Sequence, residues 1–350
     1  VCWPAIREPD LNIDFVDEGM IYWFLYLVCA AGIFFSGTKL SKYGDAIAEK
    51  TGVGRGWIGL ILMASVTSLP ELITGIGSTV VRQLPDIAVG AVFGSCMFNI
   101  LILALLDAGA LPPLSARAHP GHILSASFGI LLLAIAAIAA SAGNKLPALG
   151  WIGTYSILFI LIYLLSIRMI FVYERKRLSE FVGQISEELQ HGKLSLRQAV
   201  VHYAANALIV IVAALFLPEV GEKIALQTGL GQTFVGNIFI ALSTSLPEFV
   251  VTMAALRIGA VDMAFGNVFG SNLFNMVVLA IEDMLFTKGP ILSFVSSAQI
   301  VTAIASIAMT SIAIAGLTYR RDKKTLLFSW DSIGIVFFYF FAIALLFHIR

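Results

Sequence analysis

Thr67-Ser68-Leu69-Pro70-Glu71 and Thr244-Ser245-Leu246-Pro247-Glu248 are the same pentapeptide, and each lies inside a long apolar run. Each is followed by a Gly-Ser-x-x-Phe-Asn block, Gly94 to Asn99 and Gly270 to Asn275. A glutamate beside a proline in a hydrocarbon-length segment is costly twice: the charge is desolvated, and a helix hydrogen bond is lost. What the two copies offer is oxygen: two carboxylates, several hydroxyls, two amide oxygens, and the carbonyls released by Pro70 and Pro247. Hard cations take oxygen ligands, six to eight of them in the case of calcium. Two glutamates carry a charge of −2, which one divalent ion neutralises. No histidine or cysteine pair accompanies them, so a soft metal is not expected.

Helical spacing aims these groups together. Thr67 and Glu71 stand at i, i+4, Ser68 and Glu71 at i, i+3, and Ser95 and Asn99 at i, i+4, and the second copy repeats every interval. Pro70 has no N–H for Val66, and Pro247 none for Ser243. Carbonyls around Ala64 to Thr67 and Ala241 to Thr244 are therefore expected to be free for a cation. Ser68, Glu71, Ser95, Asn99, Ser245, Glu248, Ser271 and Asn275 fall within about three residues, or ~5 Å, of the midpoints of their apolar segments. They are expected to share one layer at the bilayer centre. The Gly94 and Gly270 regions let helices approach closely.

The elements that must position this layer are read from hydropathy. The chain is 59% hydrophobic and 13% charged, with a mean hydropathy of +0.91, which excludes an ordinary soluble domain. Its net charge is zero, so nothing points to nucleic acid. Three cysteines give neither a disulfide framework nor metal-ligand spacing, and Cys96 reads as a small packing residue. Runs long enough to cross ~30 Å of hydrocarbon predict ten helices, at 20–38, 57–80, 86–109, 122–142, 149–172, 198–218, 233–256, 262–285, 293–317 and 326–348. The expected fold is an all-α integral membrane protein of ten transmembrane helices in two inverted five-helix repeats. Its expected parts are an external tail (1–19), a first repeat (20–172, motif 57–109), a linker (173–197) and a second repeat (198–350, motif 233–285).

The repeat extends well beyond the pentapeptide: 45–71 aligns with 222–248 without a gap, and 88–105 with 264–281 after one deletion. Five helices separate equivalent positions, and five is odd, so the second copy enters the membrane in the opposite sense. Inverted repeats of this kind build secondary transporters, with the substrate near the midplane. With the N-terminus outside, 16 of the 22 Lys and Arg fall on the inner side, which places both termini outside and the 173–197 linker in the cytoplasm. That linker has apolar residues at helical spacing and is read as a solvated helix joining the halves, in preference to one lying in the interface. Asp107, Glu282 and Asp283 stand near helix ends, where capping or interfacial exposure is expected. Asp331 reads as a turn into the last helix, and His202, near Tyr203 and Asn206, as a histidine at the membrane edge.

These motifs resemble the calcium/cation antiporter superfamily and, within it, the sodium/calcium exchangers. The resemblance covers roughly 45–106 and 222–282. It implies electrogenic exchange of sodium for calcium by alternating access, in a cell membrane, by a monomer that needs no cofactor beyond the transported ions and the lipid bilayer. It also implies Glu71 and Glu248 as central calcium ligands. Thr67, Ser68, Ser95, Asn99, Thr244, Ser245 and Ser271 would complete the calcium and sodium sites, with the carbonyls of Ala64 and Ala241. Two departures stand out. Asn275 occupies a position where relatives usually carry aspartate, which keeps an oxygen donor, removes a titratable group and argues against potassium cotransport. Gly90-Ala91 replaces a Gly-Asn pair that is intact at Gly266-Asn267. The readings that compete are a calcium/proton exchanger, a passive cation channel and an intramembrane enzyme. A channel usually gains its ring by oligomerising, whereas both halves of this layer reside in one chain. For an enzyme there is no His-Glu-x-x-His motif, paired aspartates or serine–base pair.

Overall fold

A computed structural model describes residues 13–181, 194–228, 244–321, 323–324 and 327–349. Its principal helices are α1 (Ile13–Thr51), α2 (Arg55–Val81), α3 (Pro85–Asp107), α4 (His122–Ala142) and α5 (Thr154–Phe181) in the first half. The second half contains α6 (Leu196–Thr228), α7 (Leu246–Arg257), α8 (Val261–Leu285), α9 (Ala298–Tyr319) and α10 (Trp330–Ile349). Among the described residues, nine of these are long and apolar enough to cross a membrane. The remaining expected span, 233–256, is represented by α7, because 229–243 lie outside the described residues.

Several boundaries differ from the hydropathy reading: α6 runs to Thr228 and not 218, α9 starts at Ala298 and not 293, α10 starts at Trp330 and not 326, and three further differences have a visible cause. Helix α1 runs to Thr51, not 38, because Lys39, Lys42 and Lys50 mark where the apolar stretch ends and not where the helix does. It stops where Gly52 takes φ +67° and its N–H bonds the Ala48 carbonyl at 3.0 Å, a left-handed cap that a side chain would strain. Helix α5 starts at Thr154, not 149, because Ala148–Leu149 pairs antiparallel with Ile152–Gly153 around Gly150 at φ +66°. Of the 173–197 linker, α5 takes the stretch to Phe181 and α6 begins at Leu196, while 182–193 are outside the described residues.

Burial grades from the centre outward. The most apolar stretch of α8 is 83% buried and that of α1 only 17%. Helix α8 packs against α2, α3, α5 and α7, whereas α1 lies along α6 and presents Trp23, Phe24 and Leu27 outward, where lipid rather than protein would cover them. Helix α1 meets the core on α7, where Gly37 sits against Val250 and Val251 and the Ser41 hydroxyl donates to the Val251 carbonyl at 2.9 Å. The α2–α8 crossing is tighter still. A Cβ on Gly59 would meet the backbone of Met263 and Asn267, and one on Gly266 or Gly270 that of Gly56 or Leu60. Without a hydrophobic effect between helices in lipid, such small residues are what permit close packing.

The repeat is also written into two clasps. Asp107 accepts the N–H of Leu114 at 2.8 Å and of Ser329 at 2.9 Å, with Lys324 3.1 Å away. Asp283 accepts the N–H of Gly153 (2.8 Å) and Ile291 (2.6 Å) and the hydroxyls of Tyr155 (2.8 Å) and Ser156 (2.6 Å). Asp107 and Asp283 are repeat equivalents, and so are Gly153 and Ser329. The end of each repeat's third helix therefore holds the start of the other repeat's fifth. Interfacial exposure is corrected for both aspartates, which cap backbone as expected but are buried, and for Glu282, which is buried and caps nothing. Asp331 lies in the first turn of α10, buried against Gly316, with Oδ1 unpartnered. His202 is exposed on α6, its Nδ1 2.7 Å from the Gln198 carbonyl and its ring 5.0 Å from that of Tyr43.

Candidate functional site

Both pentapeptides break their helices in the same way. Ser68 has φ −92° and ψ 4°, and Ser245 has φ −90° and ψ 4°, so each serine leaves helical geometry one residue before a new helix starts at Leu69 or Leu246. Pro70 and Pro247 fall in the first positions of these half-helices, where a missing N–H costs little. Glu71 and Glu248 occupy the first turn, at the positive end of the helix dipole, which favours a carboxylate there. Helix α2 is further distorted on both sides of the break by π-wound turns, Gly59–Met63 and Gly77–Val81. Irregular backbone at membrane depth is tolerated where protein buries it, and π turns gather at functional sites.

The two breaks bring the halves into contact. The Ser68 hydroxyl donates to Glu248 Oε1 at 3.3 Å, and the Ser95 hydroxyl to Glu71 Oε1 at 3.3 Å. Thr67 Oγ1 lies 3.4 Å from Ser271 Oγ, and Ser95 Oγ 3.5 Å from Ser245 Oγ. Thr67, Ser68, Glu71, Ser95, Asn99, Thr244, Ser245, Glu248, Ser271 and Asn275 are all buried. Four of their oxygens, Glu71 Oε2, Glu248 Oε2, Asn99 Oδ1 and Asn275 Oδ1, have no hydrogen-bond partner. Buried polar atoms are almost always paired. Several orphaned acceptors together, two of them on carboxylates, make an environment that a positive charge would satisfy.

One expectation changes here. The Ala64 carbonyl is not free, because it accepts the Ser68 N–H at 3.0 Å and the Thr67 hydroxyl at 3.3 Å. Proline removed the bond to Val66, but the break at Ser68 let the preceding turn close on itself. Ala241 lies outside the described residues.

Asn272, which the sequence did not single out, and Cys96, expected to be a small packing residue, organise the layer. Asn272 accepts the Asn99 amide N–H at 3.0 Å and donates to the Cys96 carbonyl at 3.0 Å, joining α3 to α8. Cys96 does more than fill space: its Sγ lies 3.7 Å from the Asn275 amide nitrogen, a contact that turns the Asn275 oxygen away. Cys96 and Asn272 are themselves repeat equivalents, in contact with one another. The signal that could have found them is a mismatch, cysteine against asparagine, in an otherwise matched Gly-Ser-x-x-Phe-Asn block.

Comparison with known proteins agrees with this architecture. The chain is 25% identical over 342 residues to the sodium/calcium exchanger MaX1 of Methanosarcina acetivorans, covering 88% of this chain and 93% of that protein. It is 26% identical over 299 residues to the inner membrane protein YrbG of Escherichia coli, covering 83% and 87%. In fold it is similar to the sodium-calcium exchanger NCX_Mj, soaked with 10 mM Na+ and zero Ca2+, at a TM-score of 0.71 and 23% identity over 93% of this chain and 98% of that one. The model of the sodium/calcium exchanger protein family matches residues 21–181 and 198–348, on either side of the linker. With nearly the whole chain matched in two blocks, this is a multi-pass membrane protein that belongs to the sodium/calcium exchanger family.

Proposed function

We propose that the layer between α2, α3, α7 and α8 is a cation site that holds calcium or sodium in turn, and that the chain exchanges one for the other across a cell membrane. The observation that carries this reading is the set of orphaned oxygens on Glu71, Glu248, Asn99 and Asn275, gathered where the two helix breaks meet. Thr67, Ser68, Ser95, Thr244, Ser245 and Ser271 supply the hydroxyls around them. Two ionised carboxylates buried this close repel one another and have lost their water, so an empty, charged site is unfavourable. One calcium ion, or more than one sodium ion, relieves both costs. Because either cargo satisfies the same oxygens, the two compete, and competition for one site is the basis of exchange.

Alternating access needs an element that can move while the cage stays whole. Helices α1 and α6 form such an element: they lie along each other at the periphery and touch the core through α7 and α2. A slide of this pair over α7 opens one side of the layer and closes the other. The excess of Lys and Arg on one side puts both termini outside and the linker in the cytoplasm. With both half-sites in one chain, a monomer suffices.

Proteoliposomes test the coupling. Calcium uptake driven by an outward sodium gradient is expected. Uptake that ignores sodium and follows pH would replace this reading with calcium/proton exchange, and flux without any counter-ion would make the protein a channel.

A further inference from the structure

Glu282 is fully buried, and neither of its carboxylate oxygens has a hydrogen-bond partner. It stands on α8 seven residues beyond Asn275, two turns or ~10.5 Å along the axis, and so outside the layer already described. Its carboxylate rests on bare backbone, since a Cβ on Gly75 would run into Oε1. Gly75 is one helical turn past Glu71 on α2, immediately before the π-wound turn Gly77–Val81.

The repeat makes this placement informative. The equivalent of Glu282 is Leu106, and the equivalent of Gly75 is Thr252. Of the two related positions flanking the cation layer, one carries an acid and the other a hydrocarbon side chain. Packing alone would be served by leucine at both.

The surrounding groups decide what the acid can hold. Asp283, next to it, is turned to Tyr155, Ser156 and the N–H groups of Gly153 and Ile291. On α2 the titratable groups are Glu71, one turn inward from Gly75, and Arg82 and Arg55 at the helix ends. On α3 they are Asp86, bonded to the Ser296 N–H at 2.8 Å, and Asp107 at the far end. Helix α5 carries Tyr155, Tyr163 and Glu174, the last against Gly54 and Gly56 at the opposite end of α2; the described part of α7 carries Glu248 and Arg257, and the far end of α4 His122. None of these hydrogen-bonds Glu282. A metal ion needs several oxygens, whereas a proton needs one. An ionised carboxylate here would be fully buried with no protein donor.

We propose that Glu282 is a proton-binding site on one side of the cation layer, and that calcium binding at the layer releases its proton. The O–H bond of the carboxyl breaks and the proton leaves to solvent. The cation's charge, about one turn away along α2, stabilises the carboxylate left behind. This inference rests on the cation site proposed above.

Purified protein in weakly buffered detergent, given radiolabelled calcium with a pH dye, reports protons released per calcium bound. E282Q is expected to release about one proton fewer than wild type. Its apparent calcium Kd is then expected to vary about tenfold less per pH unit. E282L, which installs the side chain of the repeat equivalent, is expected to match E282Q and covers the case in which glutamine destabilises the fold. Equal proton counts in wild type and variants would overturn the proposal while leaving the cation site standing. Loss of calcium binding in both variants would make Glu282 a ligand and overturn it too. Absence of calcium binding by the wild type would instead refute the site on which it rests.

Discussion

Replacing Gly270 by alanine adds one carbon at one of the tightest points between the two halves. Its Cβ would stand 2.6 Å from Leu60 Cα and 2.8 Å from Leu60 C, both backbone atoms that no side-chain rotation can clear. Ordinary carbon–carbon contact is ~3.5–4.0 Å, so α2 and α8 must part by about 1 Å. The Thr67–Ser271 contact, 3.4 Å across the same interface, opens by a similar amount. Calcium–oxygen distances span only about 0.3 Å around their mean, and a layer opened by 1 Å cannot hold the ion with all its oxygens. Overpacking costs about 1–3 kcal/mol in stability, and calcium affinity is expected to fall at least ~100-fold, about 2.7 kcal/mol. Radiolabelled calcium titration beside thermal unfolding separates the two effects. Gly129→Ala is the control: Gly129 is buried on α4, nothing among the described residues lies within 4 Å of its added Cβ, and wild-type affinity is expected. A folded Gly270→Ala protein that binds calcium within about threefold of wild type would refute the claim that this crossing sets the cage.

Glu71→Gln and Glu248→Gln are each expected to abolish sodium-driven calcium uptake without lowering the unfolding temperature in ion-free buffer, since each removes a carboxylate whose Oε2 is unpaired; retained exchange in both would overturn the assignment. Asn275→Asp adds a third carboxylate to the layer and is expected to change the sodium-to-calcium ratio or its pH dependence, read from reversal potentials. An unchanged ratio and profile would mean that Asn275 is no ligand. Asp283→Ala strands four buried donors on Gly153, Tyr155, Ser156 and Ile291, at about 1–3 kcal/mol for each left unpaired. A marked drop in unfolding temperature is expected, and its absence would show that the clasp does not hold α5 to α8.

The parts of this fold that could be read in advance are those that hydrocarbon imposes. Apolar length located the spans, the odd number of helices between copies inverted the second repeat, and the i, i+3 and i, i+4 intervals grouped Ser68 with Glu71 and Ser95 with Asn99. Hydropathy measures membrane thickness and not helix length, so it ended α1 at residue 38 although the helix continues to Thr51. Contacts across the two halves were beyond reach for a different reason. That Ser68 reaches Glu248 while Ser95 reaches Glu71 depends on how the broken helices cross, and periodicity within one helix carries no record of it. The Asp107 and Asp283 clasps stayed hidden because an aspartate near a helix end is also what an exposed cap looks like; only burial tells the two apart. Reasoning from proline alone left the Ala64 carbonyl free, and the turn at Ser68 supplied the donors that close it.

The orphaned oxygens of the two helix breaks are proposed to hold one cation between them. A structure of the protein equilibrated with strontium, a heavy stand-in for calcium, tests it most directly. A single strong density peak is expected within coordination distance of both Glu71 and Glu248, bordered by Ser68, Ser95, Ser245 and Ser271. A protein that exchanges calcium yet shows no density there, or shows it at another site, would mean that the two helix breaks do not form the cation site.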